Sequence, residues 1–161
     1  MTKSIPGLNN KVQFGKENFY CSIIGESPSR GARSPDLWNR CFKNFKIPSV
    51  FYPFDVSSKD LGLMVQYLKS DYRFMGGAVA VPHKESIIAY LDKVEEEASL
   101  IGAVNLIYKK KGVLIGSNTD GLGAILSMSR KYNESINSFA KGMSALIIGT
   151  GGAAKACAVY L

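Results

Sequence analysis

Along the chain, short apolar runs alternate with amphipathic stretches, and polar segments bearing glycine or proline separate them. Residues 19–25 are aromatic and β-branched and read as a buried strand. Ser34 and Pro35 open a helix, with Ser34 as N-cap and Leu37, Cys41 and Phe45 on its apolar face. Residues 50–56 form a second strand, and residues 60–68 a second helix with Leu61, Val65 and Leu68 at helical spacing. Residues 75–81 are apolar throughout, as expected for a strand covered on both faces. Pro82 ends that strand and starts a helix through Leu91, and a short helix over 94–101 stops at Gly102. Residues 103–108 and 113–115 pair around a lysine-rich turn read as a solvated hairpin tip. Asn118, Thr119 and Asp120 lead into a helix reaching about Tyr132, followed by a polar connection over 133–142. A strand over 144–148 and a helix over 151–161 close the sequence, and residues 1–16 form a loose lead-in. This alternation specifies an α/β fold, a largely parallel sheet with helices on both faces.

The strand over 144–148 runs directly into Gly149-Thr150-Gly151-Gly152-Ala153-Ala154, a G-x-G-x-x-A pattern. Gly149 permits the tight strand-to-helix turn, Gly151 lets a pyrophosphate approach the backbone, and Ala154 lets the helix pack closely. Gly152 and Ala153 open the helix, whose unpaired N–H groups and partial positive charge face the phosphate. These residues are the candidate cofactor site and mark the first β-α unit of a Rossmann-type domain. A dinucleotide domain needs further β-α units. The expectation is therefore a substrate-binding unit over 1–117 and a linker helix with an incomplete nucleotide-binding domain over 118–161. Such a piece is expected to belong to a longer protein and not to turn over by itself.

Composition narrows the function. The apolar fraction of 46% supports a real core, and no apolar run approaches a membrane span. Residues 1–15 lack the apolar stretch of a signal peptide, so the expected location is the cytoplasm. Cys21, Cys41 and Cys157 show no metal-ligand or redox spacing, and His83 is the single histidine, so no metal site is expected. The net charge of +7 is spread along the chain, with a basic segment carrying Arg30, Arg33, Arg40, Lys43 and Lys46. Attraction of a small anionic ligand accounts for it as well as nucleic acid does.

Three further segments place polar residues where open α/β sheets bind ligands: V-P-H-K ending at Lys84, I-G-A-V-N ending at Asn105, and N-T-D-G over 118–121. With the glycine motif, and in this order, they resemble the shikimate dehydrogenase family over about residues 20–161. The resemblance implies a substrate domain followed by an NADP domain, with NAD as the alternative cofactor. It implies reversible reduction of 3-dehydroshikimate to shikimate, or of a related cyclic hydroxy acid such as quinate, in aromatic amino-acid biosynthesis. It implies Lys84 and Asp120 as the catalytic pair, and Asn105 and Ser34 as substrate ligands. A lysine in the first turn of a helix, opposed by a carboxylate, suits proton transfer at the reacting oxygen. His83 and Trp38 with Asn39 read as structural, for packing and anchoring.

The sequence departs from the family pattern at the substrate. S-x-S-P becomes Ala32-Arg33-Ser34-Pro35, and N-V-T becomes Ala78-Val79-Ala80. Methyl groups stand where the family has polar side chains, which changes selectivity for a hydroxylated ligand. Arg33, or secondarily Arg30, is a candidate replacement for the lost carboxylate contacts. The expected partner is a small cyclic carboxylate, with no nucleic acid and no membrane, on a monomer or homodimer. The alternative is a non-catalytic binding protein that kept the fold.

Overall fold

The computed structural model describes residues 5–139, 141–142 and 144–161. Its strands are β1 (Phe19–Gly25), β2 (Ser49–Asp55), β3 (Phe74–Val79), β4 (Lys93–Val94), β5 (Leu106–Lys110) and β6 (Val113–Ser117). Its α-helices are α1 (Ser34–Asn44), α2 (Leu61–Ser70), α3 (His83–Ser86), α4 (Glu96–Ile101), α5 (Asp120–Lys131), α6 (Ile136–Phe139) and α7 (Gly152–Tyr160). The strands form one sheet in the order β2-β1-β3-β5-β6-β4. β1 runs parallel to β2 and β3, while β5 is antiparallel to both β3 and β6. The fold is therefore α/β with a mixed sheet whose strand β6 returns parallel to β3.

Alternation along the strands sorts the two faces. Tyr20, Ile24, Phe54 and Phe74 turn to one face, where Leu61, Met64, Val65 and Leu68 of α2 cover them. The lead-in docks on this same face, contrary to the expectation of a loose segment. Ile5 is buried, Leu8, Val12 and Phe14 pack on the core, and Asn10 hydrogen-bonds the backbone of Pro53 and Asp55. A run whose apolar residues are few and irregularly spaced has no periodicity to reveal this; the aromatic surface of Tyr20 and Tyr52 receives Phe14.

Helix α1 lies on the opposite face, and its orientation differs from the expected stripe. Leu37 and Phe45 are exposed, at 68% and 73%. Trp38 instead stacks on Phe51, and the Asn39 amide both donates to and accepts from the Phe51 backbone. That two-way bond satisfies an edge strand and sets the rotation of the helix. Ser34 is also not the cap: it is the first helical residue, after Arg33, and no side chain caps the helix. On this face β3 is not fully covered. Met75 is 45% exposed beside an apolar trough of about 410 Å³ lined by Trp38, Phe51, Ala78 and Leu106.

The lysine-rich turn is a hairpin with positive φ at Lys111 and Gly112, matching the twist of its strands. Lys109 is not at its solvated tip. Its amine reaches the carbonyls of Leu68 and Lys69 at the end of α2, where a helix leaves carbonyls unpaired, and that of Asp71 just beyond. Residues 144–148 do not pair as a strand among the described residues, and Leu146 and Ile148 are 87% and 92% exposed. A strand needs a neighbour for its backbone groups, and no other described segment supplies one. Helix α7 forms as expected, packing on α5 and α4, with Ala156 against Ile101 and Ala103.

Candidate active site

Because β1, β2, β3 and β6 all point the same way, the segments that follow them gather at one rim of the sheet. This carboxyl edge is where open α/β sheets hold ligands. Lys84 arrives there after β3, as the second residue of α3. Asp120 arrives after β6, as the first residue of α5. Asn105 sits between them at the start of β5, where its carbonyl accepts the Val79 N–H and its N–H donates to Ser117.

These three predicted residues meet. Lys84 Nζ stands 2.5 Å from Asp120 Oδ2, and Asn105 Nδ2 donates to Asp120 Oδ1 at 2.6 Å. The side chains of Lys84 and Asp120 are 24% and 31% exposed, so the pair is sheltered yet reachable. Both carboxylate oxygens are engaged and the rotamer is held from two sides. Asn105 Oδ1 also accepts the Thr119 N–H at 2.9 Å, tying the two turns together. Asp120 is thus not a helix cap: its side chain faces the amine instead of the helix N–H groups.

His83 is buried beneath the pair, with Nε2 donating to the Val56 carbonyl at 2.6 Å. The bond anchors α3 to the end of β2, which fits the structural reading. Asp55 accepts the Ser29 N–H and hydroxyl at 2.8 and 2.5 Å, stapling the loop after β1 to the same rim. Ser34 and Arg33 stand at the close of that loop. Among the described residues no hydrogen bond or ion pair joins either to Lys84, Asn105 or Asp120. Ala80 packs against Gly25, where an added Cβ would stand 3.1 Å from its own, and Ala78 lines the apolar trough beside Asn105 and Thr119.

The glycine turn lies across a cleft of about 470 Å³ from Lys84, lined by Val81, Pro82, Lys84, Gly151, Gly152 and Ala153. Gly149 has φ +122°, a conformation that side chains disfavour. A Cβ at Gly149 or Gly151 would meet only open space, so the turn is bare on its outer side. Lys155 of α7 pairs with Glu85 at 3.0 Å, and the Tyr160 hydroxyl donates to Glu97 at 2.8 Å. These links reach from the glycine helix to α3 and α4. Nothing in the spacing of the motifs marks Glu85 or Ser29; the folded rim alone brings them to the site.

A family model described as "Shikimate dehydrogenase substrate binding domain" matches residues 23–107, just over half of the chain. The chain belongs to the shikimate dehydrogenase family. A curated shikimate dehydrogenase (NADP(+)) from Alkaliphilus oremlandii is 38% identical over 139 residues, covering 86% of this chain and 46% of that protein. A solved shikimate dehydrogenase in complex with NADP+ superposes with a TM-score of 0.80 at 34% identity, over 89% of this chain and 47% of the other. The ligand-free 5-ketofructose reductase of a Gluconobacter strain superposes with a TM-score of 0.75 at 30% identity, over 90% of this chain and 50% of the other. The chain thus spans about half the length of these family members. No helix among the described residues is long and apolar enough to cross a membrane.

Proposed function

We propose that this chain forms the substrate-binding part, and the opening of the NADP-binding part, of an oxidoreductase that interconverts 3-dehydroshikimate and shikimate. The carrying observation is the Lys84–Asp120–Asn105 constellation at a sheet rim facing a glycine turn. The names of the curated relatives and of the NADP+ complex support the same substrate and cofactor.

The bare outer side of Gly149 and Gly151 fits a dinucleotide. The backbone of Gly151, Gly152 and Ala153 would hold its pyrophosphate at the helix start. When bound, the nicotinamide supplies or accepts a hydride. Lys84 acts at the oxygen of the reacting carbon. In the reductive direction its ammonium gives a proton to the developing alkoxide; in the oxidative direction its amine takes the hydroxyl proton, and solvent restores the starting state. Asp120 orients the amine and offsets its charge. Asn105 donates to Asp120 Oδ1 and to Thr119 Oγ1 and accepts the Thr119 N–H; its bond to the exposed Thr119 hydroxyl is the one a substrate hydroxyl would replace.

Ser34 and Arg33 serve as the carboxylate end of the substrate site, with Arg33 replacing contacts that Ala32 cannot make. A second reading is favoured by the methyl groups of Ala32, Ala78 and Ala80 and by the likeness to a 5-ketofructose reductase. In it the substrate is another polyhydroxy ketone, quinate-like or open-chain, with the same chemistry at Lys84. A non-catalytic binding protein would not need the retained lysine–aspartate pair.

The test is absorbance at the nicotinamide band, with full-length protein, NADP or NAD, and shikimate, quinate or fructose as substrate. Turnover of shikimate with NADP is expected. Turnover of fructose alone would transfer the assignment to the second reading, and none with any substrate would end both.

A further inference from the structure

We infer that Asn118 is a positioning residue for the lysine–aspartate pair, an inference that rests on the function proposed above for that pair. Asn118 is 4% exposed, an unusual place for an amide unless both its ends are used. Its Nδ2 donates to the Ala103 carbonyl at 2.9 Å, and its Oδ1 accepts the Asp120 N–H at 3.0 Å. The second bond fixes the first backbone group of α5, from which the Asp120 carboxylate projects. The first bond ties that turn to residues 103–105.

The same three residues also hold the Lys84 backbone and one oxygen of Asp120. The Val104 N–H donates to the Lys84 carbonyl at 2.7 Å, and Asn105 holds Asp120 Oδ1. The Ala103 Cβ lies where a Cβ on Gly152 would come within 3.0 Å. Lys84 and Asp120 are therefore both registered against residues 103–105: Lys84 through Val104, Asp120 through Asn118 and Asn105. Removing Asn118 frees the Asp120 backbone N–H and leaves Asp120 held at its carboxylate alone, by the partly exposed side chains of Lys84 and Asn105. Thr119, also tied to Asn105, is at the surface. Among the described residues no hydrogen bond joins Asn118 to Lys84, and Asn118 does not line the cleft, so it acts through Asp120.

The experiment acetylates full-length protein with an amine-directed ester and follows each lysine by peptide mass spectrometry. A free amine reacts faster than one engaged by a carboxylate. Asp120→Ala gives the rate for a released Lys84. Asn118→Ala is expected to raise Lys84 labelling at least about threefold towards that rate, and to lower kcat about tenfold with a smaller change in KM. In the Asp120→Ala background it is expected to add no further loss. Lys109, whose amine is held by three carbonyls elsewhere, reports general loosening and is expected to stay at the wild-type rate. Wild-type labelling of Lys84 in Asn118→Ala would overturn the inference. If Lys109 also accelerates, Asn118→Ser, which keeps an acceptor for the Asp120 N–H, is measured the same way; acceleration of both lysines again would make Asn118 a general fold residue and overturn the inference. Faster Lys84 alone, in a wild-type protein that turns over no substrate, would support the positioning role while refuting the proposed function.

Discussion

Gly152 stands against Ala103 and Lys84 with little room for a side chain. A Cβ added there would lie 3.0 Å from the Ala103 Cβ and 3.6 Å from Lys84 Cδ. The glycine turn and the candidate proton-transfer lysine are thus neighbours although 68 positions separate them in sequence.

That closeness makes the first prediction. Gly152→Val forces the start of α7 away from Ala103 and Lys84, an overpacking cost of about 1–3 kcal/mol. In full-length protein the KM for the nicotinamide cofactor is expected to rise about tenfold, with a lowered Tm. Wild-type cofactor KM and Tm in this variant would contradict the packing described.

Arg33 supplies the second. Arg33→Ala is expected to raise the KM for a carboxylate substrate at least about tenfold while changing kcat little, the signature of lost uniform binding. An unchanged KM would remove Arg33 from the substrate site and leave Ser34 there alone.

The third concerns stability and pH. Asp71 accepts hydrogen bonds from Tyr20, Tyr67 and the Arg73 side chain and backbone. Burial pushes its carboxyl up, but the Arg73 hydrogen bonds and charge outweigh that and hold it below the usual carboxylate range. A folded value below the unfolded one, about 3.9, means that stability is present above that value. It is lost as pH falls through the folded value. The urea midpoint of wild type is expected to fall more steeply between about pH 5 and about pH 2 than that of Asp71→Asn. At neutral pH the variant is expected to be less stable by about 1–3 kcal/mol. Parallel pH profiles would exclude Asp71 from the acid response.

The legible parts of this fold were those whose physics is local. β1, β2 and α2 follow from aromatic and β-branched runs or helical spacing, and the 111–112 turn from its lysine and glycine. Lys84, Asn105 and Asp120 were legible through three motifs in family order, and the rim brings them together. What the sequence concealed depends on partners distant in the chain. The rotation of α1 follows from the edge strand that Asn39 satisfies, not from its own apolar stripe. The docking of Phe14 needs the surface of Tyr20 and Tyr52. Lys109 belongs by sequence to a charged tip, yet its target is the end of α2, about 40 positions away. Residues 144–148 carry strand-like composition but find no pairing edge among the described residues.

The most direct test of the whole account is the kcat of full-length Lys84→Ala with NADP and shikimate, beside wild type and Asp120→Asn. The account predicts a loss of at least about a hundredfold in kcat for Lys84→Ala, with shikimate KM far less affected. Turnover of Lys84→Ala at the wild-type rate would contradict it.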